Sequence, residues 1–567
     1  MSSNQLPTTK LRSYVYIGVG VLLIIVGLVL FAVLETQNAL SQAKLLNFDS
    51  AQTHTKRAAP IVTVLSLLTL QQQADIEVWK NGLKLLDEIA HLKLEAHAIA
   101  AAYTHQSDQP TDLRPLSYQL ASIAASLSKL EQLLPKTTFV QHQVQPDNID
   151  QLSTGTAYFS IAAALIDHLT ESNQTWVILF QNSNELRATG GFTGSYAVFM
   201  MHQGIAQPLI IEDIYDADGQ FVGYVSPPPG VHEYTSGNRG LRLPDANWWP
   251  DFPKSAQTQL QFFELGNKDP IAGVVAINIS VLEELLAITG PIFLPDYDLE
   301  LTAQNAADVL RTDRESFFPG SSQKKDLISH ATTMLSQKIT SLNQEQVRGM
   351  LGLLISLIPE KSIQAYATDP QIQNHLAELG ITGELGTNTV RANTLQQACQ
   401  CELESFMLVE SNVGINKVNE AVTRSVSLDW QANTLATEIV FNHDGSYTPK
   451  TAGENAGYLN YQRLIFSPEY TISSITVNDR PIPRYDLSTI TTHQGQDLQQ
   501  LGFIIPIPSN TTQRATITLQ RNTPYTQKAG LLIHKQSGLP ITPYSIETPA
   551  GEQVVHLKTD TVIQQSP

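Results

Sequence analysis

Apolar residues in this chain follow one unbroken run and then three different periods. The run, Tyr14–Leu34, contains no charged residue. At about 1.5 Å per residue it would reach about 31 Å, the thickness of a bilayer's hydrocarbon core, and so predicts one transmembrane helix. No small-residue A-x-A pattern follows it, so an uncleaved signal anchor is expected rather than a removed signal peptide. Lys10 and Arg12 precede the run and Glu35 is the first charge after it. The positive-inside rule then places residues 1–13 in the cytoplasm and the body outside, a single-pass protein of the cell membrane.

Beyond the anchor the period becomes three to four. Leu68, Ile76, Trp79, Leu83, Leu86, Ile89, Leu92, Ala96 and Ile99 form one amphipathic stripe, and further helices are expected over Leu116–Leu134 and Thr156–Leu169. Residues 35–170 are read as a helical stalk. From 171 short apolar runs, Trp176–Phe180, Tyr196–Met201 and Ala272–Ile277, alternate with helical stretches over Ser255–Leu265, Ser280–Thr289, Ala303–Arg311 and Lys324–Leu342. That alternation predicts an α/β central domain over 171–375. After a linker at 376–404, the helical period gives way to alternation and turn signals. Val422–Trp430, Leu435–Asn442, Tyr458–Phe466, Ile472–Val477, Phe503–Ile507 and Ala515–Gln520 predict a mainly antiparallel, sandwich-like β domain over 405–530. Residues 531–567, rich in Pro, Thr and Gln, are expected to be a loosely ordered tail.

Composition narrows the partners. The net charge is −18, and the +2 of the N-terminal tail leaves −20 for the rest. A body this acidic argues against nucleic-acid binding, which needs a basic stripe. Cys399 and Cys401 are the only cysteines. They cannot make a tetrahedral zinc site alone, and they fit a structural pair, free or bridged locally.

Three segments carry candidate chemistry. In Gln181–Tyr196, Gly190, Gly191 and Gly194 permit close backbone approach. Thr189, Thr193 and Ser195 add hydroxyls, and Arg187 adds a planar cationic fork. The set suits a phosphate or pyrophosphate; it equally suits a plain glycine-rich turn between two strands. In Arg242–Lys254, Asp245 and Asp251 are candidate Mg2+ ligands or bases. Arg242 and Lys254 are candidate phosphate partners there, and Trp248 a stacking platform. A loop packed by its own aromatics fits as well. Lys324 and Lys325, near Arg311 and Arg314, open a helix and form the best local basic cluster, which suits an anion at the helix start or a solvated face. Asp213–Asp218 lacks the glutamate of a calcium loop and is read as a surface turn. No HExxH, G-x-S-x-G or kinase motif is present.

The residues Asn184-Glu-Leu-Arg-x-Thr-Gly-Gly-Phe-x-Gly-Ser-Tyr196, Asp245-Ala-Asn-Trp-x-Pro-Asp-Phe-Pro253 and Val409-Glu-Ser-Asn-Val-Gly-x-Asn-Lys417 resemble the bacterial family known as domain of unknown function 4012. That resemblance spans about residues 60–450 and implies no activity. More distantly, the order of parts is similar to the LytR-CpsA-Psr transferases, which move glycopolymers from a polyprenyl pyrophosphate to the cell wall. The chain departs from them at Ile210-Ile-Glu-Asp-Ile-Tyr-Asp216, which is acidic where those enzymes have an Arg-Asp pair.

The likeness implies an envelope protein at the lipid bilayer that binds or transfers a polyprenyl-pyrophosphate-linked glycopolymer. Its partner would be a cell-wall polymer. Arg187, Lys324 and Lys325 would hold the pyrophosphate, and Asp245 or Asp251 would bind Mg2+ or activate the acceptor hydroxyl. The alternative is a non-catalytic surface scaffold or adhesion protein.

Overall fold

A computed structural model describes residues 30–44, 47–68, 73–104, 111–137, 146–266, 270–310, 323–339, 341–449, 455–523, 525 and 528–565. The chain divides into two compact units. The first comprises residues 1–102, 111–170 and 340–348, and the second residues 103–110, 171–339 and 349–567.

The expected membrane-spanning helix is corrected. Among the described residues no helix is long and apolar enough to cross a membrane. Residues 14–29 of the apolar run lie outside the described residues. Residues 30–34 are helical, and the helix continues without a break to residue 44. Polar contacts begin at once after them, because Glu35 is buried and its carboxylate lies 2.6 Å from His54 Nδ1. The transmembrane, signal-anchor and single-pass membrane assignments, with the outward-facing body that followed from them, therefore do not stand.

The first unit is mainly helical where described, with α1 (Phe48–Leu68), α2 (Gln73–Thr104), α3 (Arg114–Leu133) and α4 (Pro146–Glu171). α4 is described from Pro146, ahead of the helix expected over Thr156–Leu169. Ala32, Ala58, Val62 and Leu83 form one of its buried clusters.

The second unit begins with a mixed sheet. Its strands are β1 (Gln174–Asn182), β2 (Phe192–His202), β3 (Ile205–Ala206), β4 (Ile210–Asp213), β5 (Gly273–Asn278) and β6 (Ile363–Ala367). The order is β3-β2-β1-β5-β6, with β4 also on β2. Among the described strands β1 to β6, only β1 and β5 pair in parallel, so the sheet is less doubly wound than the alternation suggested. Helices α5 (Phe252–Leu265) and α6 (Ile279–Thr289) fall in the connections, followed by α7 (Gln323–Ile339), α8 (Pro370–Glu378) and α9 (Val390–Cys399). α9 and the end of α8 fall in the expected linker. Asp369 and Thr389 cap them by accepting backbone N–H bonds, and Cys399 and Cys401 close a disulfide after α9.

The rest of this unit is two β-sheets. The strands are β7 (Glu402–Val409), β8 (Val422–Trp430), β9 (Thr434–His443), β10 (Tyr458–Phe466), β11 (Tyr470–Val477), β12 (Arg480–Pro481), β13 (Asp486–Thr491), β14 (Asp497–Ile507), β15 (Thr512–Arg521), β16 (Ala529–Ile533), β17 (Thr542–Thr548), β18 (Gly551–Leu557) and β19 (Thr561–Gln565). One sheet runs β13-β14-β10-β7-β16-β19, the other β12-β11-β15-β9-β8-β17-β18. Burial alternates strictly along β8, as its polar/apolar pattern requires. Trp430, Phe406, Phe441 and Phe466 share the core with residues from both sheets.

The C-terminal segment is not a loose tail. β16 is buried at every position and pairs in parallel with β7, while β17 pairs in parallel with β8. Each sheet is thus extended beside an early strand by a late one. Removing residues 529–567 would leave β7 and β8 each with one open edge and uncover the core. We expect the shortened chain to lose its cooperative unfolding transition and to be cut within the β region by limited proteolysis. Unfolding at the wild-type temperature would contradict this role of the C-terminal strands.

Candidate functional site

The Gln181–Tyr196 segment leaves β1 through a 3-10 turn at Ser183–Glu185, where the Asn182 side chain accepts the Asn184 N–H at 3.0 Å. This brings Arg187 into the interior, where it is 1% exposed. Each of its five N–H donors has an acceptor. Nε and one Nη2 proton reach Asp245 Oδ1 at 3.3 and 3.2 Å, and the other Nη2 proton reaches Glu185 Oε1 at 2.9 Å. Nη1 donates to Leu186 O at 3.2 Å and to Asn412 O at 2.7 Å. The last acceptor belongs to the β region. Asn412 N–H returns a bond to Leu186 O at 2.9 Å.

The hydroxyls, Gly190 and Gly191 are buried in the same joint. Thr189, Thr193 and Ser195 are buried. Thr189 Oγ1 accepts from Gln181 Nε2 at 3.2 Å, and Thr189 O from Gln364 Nε2 at 2.9 Å. Gly190 has φ +138°, and a Cβ there would meet Asn278 Oδ1 at 2.2 Å. A Cβ on Gly191 would meet the Asn182 carbonyl carbon at 2.2 Å. These glycines serve close packing of backbone on protein. The far side of the turn is covered by the C-terminal segment. Thr189 bridges Ser537, and Gly538 lies against the Gly190 carbonyl with no room for a Cβ. Gln536 Nε2 donates to Arg187 O at 3.0 Å and to Glu410 O at 2.8 Å.

The Asp245–Pro253 loop packs against the same β region. Trp248 is buried, with the Arg463 guanidinium 4.4 Å from its ring centroid. Arg463 Nη1 donates to Trp248 O at 2.7 Å and Nη2 to Ser411 Oγ at 2.8 Å. Burial without a carboxylate partner draws the Arg463 guanidinium down to about 10. Asn247 Nδ2 donates to Gly191 O at 2.7 Å, tying this loop to the glycine turn. Asp251, buried, accepts the Leu385 N–H at 3.0 Å on Oδ1 and the His493 N–H at 2.6 Å on Oδ2.

The remaining expected site residues are dispersed. Arg242 is paired with Asp218, Nε standing 3.1 Å from both carboxylate oxygens. Asp218 ends the short helix Ile214–Asp218, which replaces the expected surface turn. Lys254 is exposed on α5. Lys324 and Lys325 fall in the first turn of α7, their side chains outside the described residues, as Arg311 and Arg314 are entirely.

The structure therefore joins Arg187 directly to Asp245, but by ion pairing inside the protein. As a Mg2+ site the donor set does not fit. Asp245 is neutralised by Arg187, and both oxygens of Asp251 are taken by backbone N–H groups. Among the described residues no three His, Cys, Asp or Glu side chains converge on a metal position. The residues that complete the joint, Asn412, Arg463, Gln536 and Gly538, come from the β region. Val409–Lys417 stood out in the sequence, but nothing local marked Arg463 or Gln536.

The class defined by this arrangement is an α/β module built into a β-sandwich. Residues 171–314 match the family model described as a protein of unknown function, DUF4012. The match covers that segment of the chain, and the similarity to LytR-CpsA-Psr transferases is not shown. No curated protein matches the chain.

Replacing Arg187 by Met would strand the buried Glu185 carboxylate, the half-buried Asp245 carboxylate and the Leu186 and Asn412 carbonyls. Urea denaturation should record a loss of about 3–5 kcal/mol, the usual effect of breaking a buried ion pair. A loss within about 0.5 kcal/mol, as at an open surface site, would contradict the geometry.

Asp251 gives a pH prediction. Burial raises its carboxyl to about 6 despite its two backbone N–H bonds. The folded protein thus holds this proton more tightly than the unfolded chain. The resulting stability is complete below 3.8 and is lost as pH rises through about 6. Wild type should therefore lose stability relative to Asp251→Asn across that window, with a constant difference above it. A constant difference throughout would sink the assignment.

Proposed function

We propose that this protein is a non-catalytic scaffold, and that its family signature is the joint between an α/β module and a β-sandwich. The observation that carries this reading is the state of Arg187. A residue meant to clamp a pyrophosphate needs free donors facing a space the ligand can enter. Arg187 is buried and has all five donors occupied by protein. The glycine turn is filled by Ser537 and Gly538 in the place a phosphate would need. The acidic strand β4 and its following helix supply no arginine in compensation. A joint whose polar groups are spent within the protein leaves contact with partners to the outer surface, as in an adhesion or assembly protein.

The competing reading is transfer of a polyprenyl-pyrophosphate-linked glycopolymer. Calorimetric titration of the full chain with inorganic pyrophosphate and with a short polyprenyl pyrophosphate separates the two. The scaffold reading predicts no saturable binding of either, with or without Mg2+. Saturable binding of the lipid pyrophosphate that weakens in Lys254→Ala would restore the transferase reading.

A further inference from the structure

The β17–β18 hairpin leaves a long strand edge open. β18 has seven residues, ends its sheet beside β17, and is exposed at residues 551–554 and at His556. Val555 and Leu557 pack against the sandwich core, so Glu552, Val554 and His556 point outward. Val554 is 61% exposed. Proteins commonly guard such edges with lysine, proline or shortness. Of the other outermost strands in the two sheets, β12 has two residues, and β19 has five, two of them buried. β13 follows Pro481 and Pro483, and its single charge, Asp486, accepts a bond from Tyr461 Oη at 2.7 Å. β18 contains neither lysine nor proline.

The direction of its free backbone groups follows from the register. Along an antiparallel pair, residues that exchange backbone hydrogen bonds alternate with residues that do not. Here Pro543 stands opposite His556, Ser545 opposite Val554 and Glu547 opposite Glu552. Pro543 has no N–H, so its pair is of the non-exchanging kind. The pairs at Val554 and Glu552, two and four residues along, share that state. The N–H and C=O groups of Glu552, Val554 and His556 are therefore turned away from β17, toward the open edge. Among the described residues, none outside the β17–β18 ladder bonds to them.

This edge is complementary to itself about a two-fold axis through Val554. Antiparallel pairing centred there sets Val554 against its own counterpart and Glu552 against the partner's His556, once on each side of the axis. Each of these pairs exchanges two backbone hydrogen bonds, because all the groups concerned face the edge. The Glu552 carboxylate lies opposite an imidazole N–H, and the exposed Val554 side chains meet at the axis. Within one chain Glu552 stands across from Glu547. Like charges so placed are unfavourable, and the partner's His556 would relieve them.

We propose that the protein self-associates into a two-fold dimer, β18 pairing antiparallel with β18 of a second copy in the register centred on Val554. Backbone bonds along the edge supply the attraction, and the Glu552–His556 pairs set the register. The contact is isologous, so it closes at two copies. It adds a self-interaction surface to the scaffold reading and does not rest on that reading.

Sedimentation equilibrium of the full chain from about 1 to about 300 μM tests it, a range suited to the weak association of a small interface. A monomer–dimer equilibrium is expected. Val554→Pro removes an outward N–H and leaves the β17 ladder intact, so it should fold, as circular dichroism would show, and stay monomeric. His556→Glu sets carboxylates against each other on both sides of the axis and should weaken the dimer about tenfold. Adding Glu552→Lys to His556→Glu restores opposite charges and should recover the dimer. His556 is exposed, so this charge pair keeps the test decisive if the proline variant does not fold. Three results would overturn the proposal: a monomer at every concentration, a dimer equally strong in folded Val554→Pro or in His556→Glu, or growth into longer assemblies in place of a closed dimer.

Discussion

The buried guanidinium of Arg187 is the constraint on which the second unit depends. An arginine cannot shed its charge, so burying it requires that every donor be met. Here Glu185 and Asp245 supply the countercharge from the α/β module, and the Asn412 carbonyl supplies an acceptor from the β region. Neither module alone completes the set. Once both are present, the glycine turn has a fixed course, and the Asp245 loop is held on one side and Asn412 on the other.

The neighbouring contacts follow from that placement. Asn247 ties its loop to Gly191, Arg463 grips the backbone and ring of Trp248, and Gln536 links Arg187 O to Glu410. Ser537 and Gly538 then fill the cradle that the glycines form. The same residues that suggested a phosphate cradle are those that allow two stretches of backbone to meet without a side chain between them. Close approach to a ligand and close approach to a distant part of the same chain make identical demands on composition, which is why both readings were open from the sequence.

Local periodicity made much of the β region legible. Val422–Trp430 and Tyr458–Phe466 have the same bounds in sequence and structure, because alternation and flanking turns define such strands. Glu402–Val409 was hidden by its burial at nearly every position, which erases the alternating signal. The last strands were obscured by Pro, Thr and Gln, yet their stability comes from parallel partners more than a hundred residues earlier. At the candidate site, the choice of Arg187, the glycines and Asp245 as candidates was readable. Their burial was not, since it is imposed by Asn412, Gln536 and Gly538, whose proximity no spacing rule encodes. The apolar run at the N-terminus shows the opposite weakness: hydropathy alone proposed a membrane span, and among the described residues no helix meets that requirement.

The most direct test of the joint is amide hydrogen exchange at Asn412, whose N–H is bonded to Leu186 O at 2.9 Å across the two modules. In wild type this proton should exchange only with global unfolding, and in Arg187→Met it should exchange markedly faster than the amides in the middle of β8. An Asn412 proton that exchanges freely in wild type, or stays equally protected when Arg187 is removed, would contradict the claim that this arginine holds the modules together.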